Sequence, residues 1–191
     1  MKVVGINSSP RKDGNTAFII KTVFAELEKH GIETELLQIA GQPVRGCRAC
    51  YACFKNRDRR CVLTDDPVND YIAKMVEADG IILGSPTYFA DVNAEMKALI
   101  DRIGFVSRAN DYLFKHKVGA AVTAVRRGGA THAFDTMYHF LHYNQMFIVG
   151  ATYWNMVYGR EIGEVAKDDE GLANMRNLGE NMAWLLNKIG R

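Results

Sequence analysis

The sequence predicts a single doubly wound α/β domain built on a five-stranded parallel sheet. Short, nearly continuous apolar runs, the mark of strands buried on both faces, recur five times along 191 residues. Between them lie segments whose apolar residues repeat at helical spacing. That alternation implies right-handed crossovers, with helices covering both faces of the sheet. No repeat, linker or low-complexity stretch interrupts it, so residues 1–191 read as one domain.

Each element has its own signal. "KVVGIN" is the first strand and "SSPRKDGNT" a turn-rich loop; Ala17, Ile20, Phe24 and Leu27 then mark a helix stopped near Gly31. "ETELLQI" is the second strand, followed by a cysteine-rich insertion at residues 45–66. "DDPVNDYIAKMVEAD" is a helix with Pro67 near its first turn. "GIILGSP" is the third strand, "AEMKALIDRIGF" a helix and "KVGAAVTAV" the fourth strand. "FDTMYHFLHYN" is helical, "MFIVGA" is the fifth strand, and "EGLANMRNLGENMAWLLNKI" is a closing amphipathic helix.

A hydrophobic content of 48% with 24% charge is globular. No apolar run reaches membrane-spanning length and "MKVVGINSSP" lacks a signal peptide's apolar region, so a cytoplasmic protein without a membrane partner is expected. There thiols stay reduced, and the four cysteines do not read as a disulfide framework. Net charge is +2, but Arg45, Arg48, Lys55, Arg57, Arg59 and Arg60 against Asp58 give residues 45–61 a local +5 and leave −3 for the rest.

Ligands of such sheets bind beyond the carboxyl ends of the strands. The loop after strand one offers the hydroxyls of Ser8, Ser9 and Thr16, the Arg11 guanidinium, the Asn15 amide and flexible Gly14. It leads into a helix whose free N–H groups favour an anion. The plainer reading is a polar turn capped by Asn15 or Thr16. A nucleotide-triphosphate loop is excluded by the missing Gly-Lys-Ser/Thr element, and no strand is followed by Gly-x-Gly-x-x-Gly. One terminal phosphate fits best, which favours FMN.

"SSPRKDGNT", "GSPTYFADVNAEMKALIDR" and "RRGGATHAF", after strands one, three and four, resemble the NADPH-dependent FMN reductase branch of the flavodoxin-like superfamily. The resemblance runs nearly the full length of the chain. It implies that Ser9, Arg11, Asn15 and Thr16 hold the FMN phosphate, that Pro86, Thr87, Tyr88 and Phe89 line the ribityl chain and ring, and that Arg126, Gly128 and Gly129 approach the ring's polar edge. It also implies a homodimer or homotetramer with the flavin near the subunit interface. In the flavodoxin-like strand order 2-1-3-4-5, strands one and two are neighbours. Both of their loops then open on one edge, placing a cysteine-bound cofactor on the flavin's side of the sheet.

The cysteines follow Cys-x2-Cys-x2-Cys-x7-Cys, with Cys47, Cys50, Cys53 and Cys61 as candidate ligands. Three thiolates at every third residue wrap one small cubane, with a fourth after a short excursion, and a 4Fe-4S cluster fits best. Structural zinc more often uses two separated knuckles, and a plant-type 2Fe-2S centre wants wider first spacing. The pattern resembles the iron-sulfur flavoproteins of the same superfamily, although the final gap is long for that group. Surrounding basic residues offset cluster charge and form a surface for an acidic electron carrier such as ferredoxin.

Three functions compete. The leading one passes electrons through a 4Fe-4S cluster and FMN, from a ferredoxin-type donor to a small-molecule acceptor. The second is an NAD(P)H-dependent FMN or quinone reductase without a cluster, NAD(P)H being the substrate. The third, a zinc-stabilised basic loop on nucleic acid, sits poorly with the low charge. His139 and His142, three apart on a helix, lack further ligands and read as a packed or surface pair. Tyr153, Trp154, Met156 and Tyr158 read as core or subunit interface.

Overall fold

The computed structural model describes residues 1–190. The predicted alternation is present: β1 (Lys2–Asn7), α1 (Asn15–Lys29), β2 (Glu33–Gln38), the short α2 (Ala52–Asn56), α3 (Val68–Glu77), β3 (Gly80–Pro86), α4 (Ala94–Ala109), β4 (Val118–Val125), α5 (Ala130–Tyr143), β5 (Phe147–Ile148), β6 (Met156–Tyr158) and α6 (Asp169–Ile189). The sheet runs β2-β1-β3-β4-β5, parallel throughout, so the expected 2-1-3-4-5 order holds. Val4, Ile6, Ile81 and Leu83 face α3, α4 and α5, while Val3, Ile82, Val118 and Val122 face α1 and α6.

The fifth strand departs from expectation. Only Phe147 and Ile148 of the "MFIVGA" run pair with β4, at Val118 and Gly119. The other end of the same β4 edge is taken by Met156–Tyr158, which pair with Thr123, Ala124 and Val125. One strand position is therefore filled in two pieces, and the aromatic segment contributes the second. The excursion between them is held by Asn174 of α6, 2% exposed. Its Oδ1 accepts from Thr152 Oγ1 and Tyr153 N at 2.9 and 2.8 Å, and its Nδ2 donates to the Trp154 carbonyl at 3.1 Å. This buried amide satisfies backbone groups that would otherwise require a sheet partner. Met156 is buried, whereas Tyr153, Trp154 and Tyr158 are exposed.

Helix α1 rides close to the sheet because β1 and β3 each carry a glycine beneath it. A Cβ on Gly5 would lie 2.6 Å from both Ile20 Cγ2 and Phe24 Cζ, and one on Gly84 would lie 2.5 Å from Ile20 Cδ1. The packing brings the start of α1 directly against the carboxyl ends of β1 and β3. Gly5→Ala is expected to cost about 1–3 kcal/mol by overpacking. Urea denaturation checks this, the midpoint falling with little change in slope.

Candidate functional site

The carboxyl edge of the sheet holds a cleft of about 140 Å³ lined by Ser9, Arg11, Asn15, Thr16, Pro86, Thr87, Tyr88, Ala124, Arg126, Gly159 and Arg160. Eight of the residues singled out from sequence thus surround one space. Its floor is the start of α1. Gly14 occupies the cap position and no side chain caps the helix, so neither Asn15 nor Thr16 plays that part. The N–H groups of the first turn remain available to an anion, with Ser9 and Thr16 hydroxyls beside them.

Asn15 is instead a brace. Its Nδ2 donates to the Glu161 carbonyl at 2.9 Å and its Oδ1 accepts from Gly163 N at 2.8 Å, which pins the segment after β6 against the cleft. Arg11 is exposed, and its Nη1 donates to the Arg160 carbonyl at 3.2 Å. Arg11, Arg126 and Arg160 give the space three cationic walls.

A tight turn forms another wall. Tyr88 and Asp91 exchange backbone hydrogen bonds at 2.8 and 3.0 Å, while Phe89 and Ala90 between them have φ of 47° and 65°. Positive φ at both central positions marks a hairpin-type turn usually given to Asn and Gly, so this one carries strain of order 1 kcal/mol per residue. Phe89 at the tip is fully exposed and Tyr88 is 47% exposed, so neither is a core aromatic. Phe89, Gly128 and Gly129 do not line the cleft. Gly129 serves the turn: its φ is +86°, and a Cβ there would meet Ala90 Cα at 2.8 Å. Asp91 closes the turn. Burial pushes its carboxyl up, but hydrogen bonds from Thr136 Oγ1 and Val92 N, with His132 nearby, hold it below the usual carboxylate range.

Beneath these loops lies a buried polar junction that sequence reading missed. Asn93, 1% exposed, accepts from Ser8 Oγ at 2.6 Å and Ser85 Oγ at 3.1 Å, and donates through Nδ2 to the Ser8 carbonyl at 2.6 Å. It ties the loop after β1 to the end of β3 and the start of α4. Gln38 braces the other flank, donating to the Ser9 carbonyl at 2.7 Å and accepting from Asn7 Nδ2 at 2.6 Å. The polar residue before "AEMKALI" was the available signal for Asn93. Nothing local marks Gly159 or Arg160, which arrive through the split fifth strand.

The four cysteines line a second, smaller cavity with Arg48, Tyr51, Val62, Leu63, Arg102, Phe105 and Val106. All four are free thiols; Cys47 and Cys50 are exposed, Cys53 and Cys61 half-buried. Among the described residues no three His, Cys, Asp or Glu groups are gathered as for a single metal ion. The loop around them is contorted, with positive φ at Ala49, Tyr51, Arg57 and Arg59. Residues of this conformation are the building blocks of anion- and cluster-binding nests, in which successive backbone N–H groups converge. One such group, Ala49 N, lies 3.4 Å from Cys47 Sγ. Burial pushes the Cys53 thiol up, against backbone N–H groups that lower it.

Tyr51, Phe54 and Phe105 pack edge-on or tilted at 5.8–5.9 Å, with the Arg108 guanidinium 5.9 Å from the Phe54 ring. The basic patch is partly neutralised, since Arg45 pairs with Asp65 at 2.9 Å and Arg57 with Asp111 at 2.7 Å. No residue lines both cavities: the cleft lies among the strand ends, whereas the cysteine cavity leans on α4. His139 and His142 are exposed. No helix among the described residues is long and apolar enough to cross a membrane.

The sheet order, with a cleft at its carboxyl edge, defines a flavodoxin-like protein. A WrbA-like flavodoxin from Agrobacterium tumefaciens superposes with TM-score 0.67 over 98% of each chain, at 17% identity. Residues 1–161 match NADPH-dependent FMN reductase, and the chain belongs to that family. It is a flavin-dependent oxidoreductase. An iron-sulfur flavoprotein of Methanocaldococcus jannaschii is 37% identical, covering 99% of both chains. A second from that organism is 30% identical over 92% of both, and one from Methanosarcina thermophila is 36% identical over 78% of both.

Asn93→Ala is expected to cost about 1–3 kcal/mol, because it strands the buried Ser8 and Ser85 groups. It should also weaken flavin binding without removing any cleft-lining side chain. Thermal unfolding and fluorescence titration with FMN check both effects.

Proposed function

We propose that this chain carries electrons between a 4Fe-4S cluster held by Cys47, Cys50, Cys53 and Cys61 and an FMN held in the arginine-walled cleft. Electrons enter from a small acidic carrier of ferredoxin type and leave to a small-molecule acceptor. The observation that carries the reading is the gathering of all four thiols around one apolar cavity, in a chain whose sheet edge forms a separate anion-friendly cleft. A cluster several ångströms across takes ligands spread around a cavity, and converging backbone N–H groups suit its sulfurs. The names of the relatives agree with it.

The cleft suits the phosphate end of FMN. Uncapped N–H groups of α1 and the hydroxyls of Ser9 and Thr16 would bind phosphate oxygens, with Arg11 supplying charge. About 140 Å³ is smaller than a typical pocket for a whole ligand of this size, so the ring belongs at the open rim. There Tyr88 and Arg126 lie on the cleft wall, and Phe89 extends from the strained turn. Bound flavin supplies one- and two-electron chemistry; the chain binds, orients and shields it. Phe89, Tyr153 and Trp154 are large and exposed, the last two packed edge-on against each other, which suits a homodimer or homotetramer. Residence in the cytoplasm fits four free thiols.

A second reading, NAD(P)H-dependent reduction of FMN or quinone without a cluster, draws on the open rim and the surplus of arginines for a single phosphate. Cys50→Ser separates the two. Under the first, protein prepared without oxygen loses its iron, keeps FMN, and is no longer reduced efficiently by a one-electron protein donor. Full donor-driven turnover in iron-free variant protein would sink the relay. For the phosphate, Arg11→Ala is expected to weaken FMN binding by about 1.5–3 kcal/mol while riboflavin, lacking the phosphate, changes far less. Equal weakening of both flavins would remove Arg11 from the phosphate site.

A further inference from the structure

Arg102 stands on the buried side of α4, between Leu99 and Val106, where an apolar residue is expected. It is 1% exposed, and with Asp66 it forms an ion pair whose two side chains are fully buried. The guanidinium reaches both ends of the cysteine segment. Nη1 donates to the Arg45 carbonyl at 3.3 Å and to Asp66, and Nη2 donates to the Leu63 carbonyl at 3.1 Å. Asp66 in turn accepts from Val68 N at 3.2 Å, at the start of α3. The third guanidinium nitrogen, Nε, is buried without any hydrogen-bond partner. It belongs to a side chain that lines the cysteine cavity.

A buried charge with an unpaired donor nitrogen is costly unless something completes it. Asp66 balances the charge but leaves Nε–H unpaired, and the groups across the cavity are thiols. Lysine lacks both the fork that spans two carbonyls and the extra donor, so arginine is specifically required here.

We propose that Arg102 is the positioning residue of the cysteine site: it clamps residues 45 and 63–66 together and presents Nε–H as a donor to the sulfurs of the group bound there. This rests on the cluster reading for its second half only. A full positive charge and an N–H donor beside an anionic iron-sulfur centre favour the more negative, reduced form, so Arg102 raises the centre's potential. The clamp itself acts without any metal.

The test compares wild-type, Arg102→Lys and the double variant Arg102→Met with Asp66→Asn, which removes both buried charges at similar side-chain volume. Iron-free protein is digested with a limiting protease, and separate samples are reconstituted without oxygen using ferrous iron and sulfide. The clamp predicts cleavage within residues 45–66 at least about tenfold faster in Arg102→Lys. FMN binding should stay within about twofold of wild-type. The donor role predicts a lower cluster potential in both variants, read by redox titration of the visible spectrum, with less iron retained per chain in Arg102→Lys. Unchanged cleavage overturns the clamp, and unchanged potential in clusters that form overturns the donor. Wild-type protein that takes up no iron overturns the cluster reading and the donor together, while the cleavage rates still decide the clamp.

Discussion

The cleft depends on one buried amide. Asn93 fastens the loop after β1 to the end of β3, and those two loops supply most of the walls that a flavin would touch. Buried, hydrogen-bonded side chains of this kind cost little when complete and a great deal when broken, so the geometry above them is sharply defined. The glycines beneath α1 do the complementary work, drawing the helix close enough for its uncapped end to face the same space. Polar junction below and close packing behind together hold the walls of the cleft over the uncapped start of α1.

The cysteine cavity is built by other means. No strand end holds it; a short helix, several left-handed residues and a buried ion pair do. Its stability is therefore largely separate from that of the cleft, and the two sites meet through no common side chain. The loops that lead to them do share a brace at Gln38, whose amide touches the loop after β1 as β2 ends. Rigid cleft and contorted loop sit on neighbouring strands of one sheet.

Much of this was legible in the residues. Apolar runs alternating with helical repeats were enough for the layers and, with the family resemblance, for the strand order. Ser9, Arg11, Thr16, Pro86, Thr87, Tyr88 and Arg126 were expected at one site, and they do surround one cleft. The misses have physical causes. A two-residue strand such as Phe147–Ile148 carries no periodicity, and its completion by Met156–Tyr158 is a tertiary event. The positive φ of Gly129 answers to the close approach of Ala90 in the strained turn, which spacing along the chain does not encode. Asn93 was visible as a polar residue just before a helix and Arg102 as one within it, but the Ser8 and Leu63 carbonyls they donate to lie tens of residues away.

The division of the fifth strand has a further consequence for how such a protein can vary. Phe147 and Ile148 close one end of the β4 edge, whereas Met156–Tyr158 deliver Gly159 and Arg160 to the cleft. The excursion between them is held by two side-chain amides of α6, Asn174 and Asn181. Its length can change by several residues without shifting the register of either half, and loop closure grows only slowly more costly with length. The edge of the sheet is thus modular: one piece closes it and the other shapes the cleft, with an exposed aromatic segment between them.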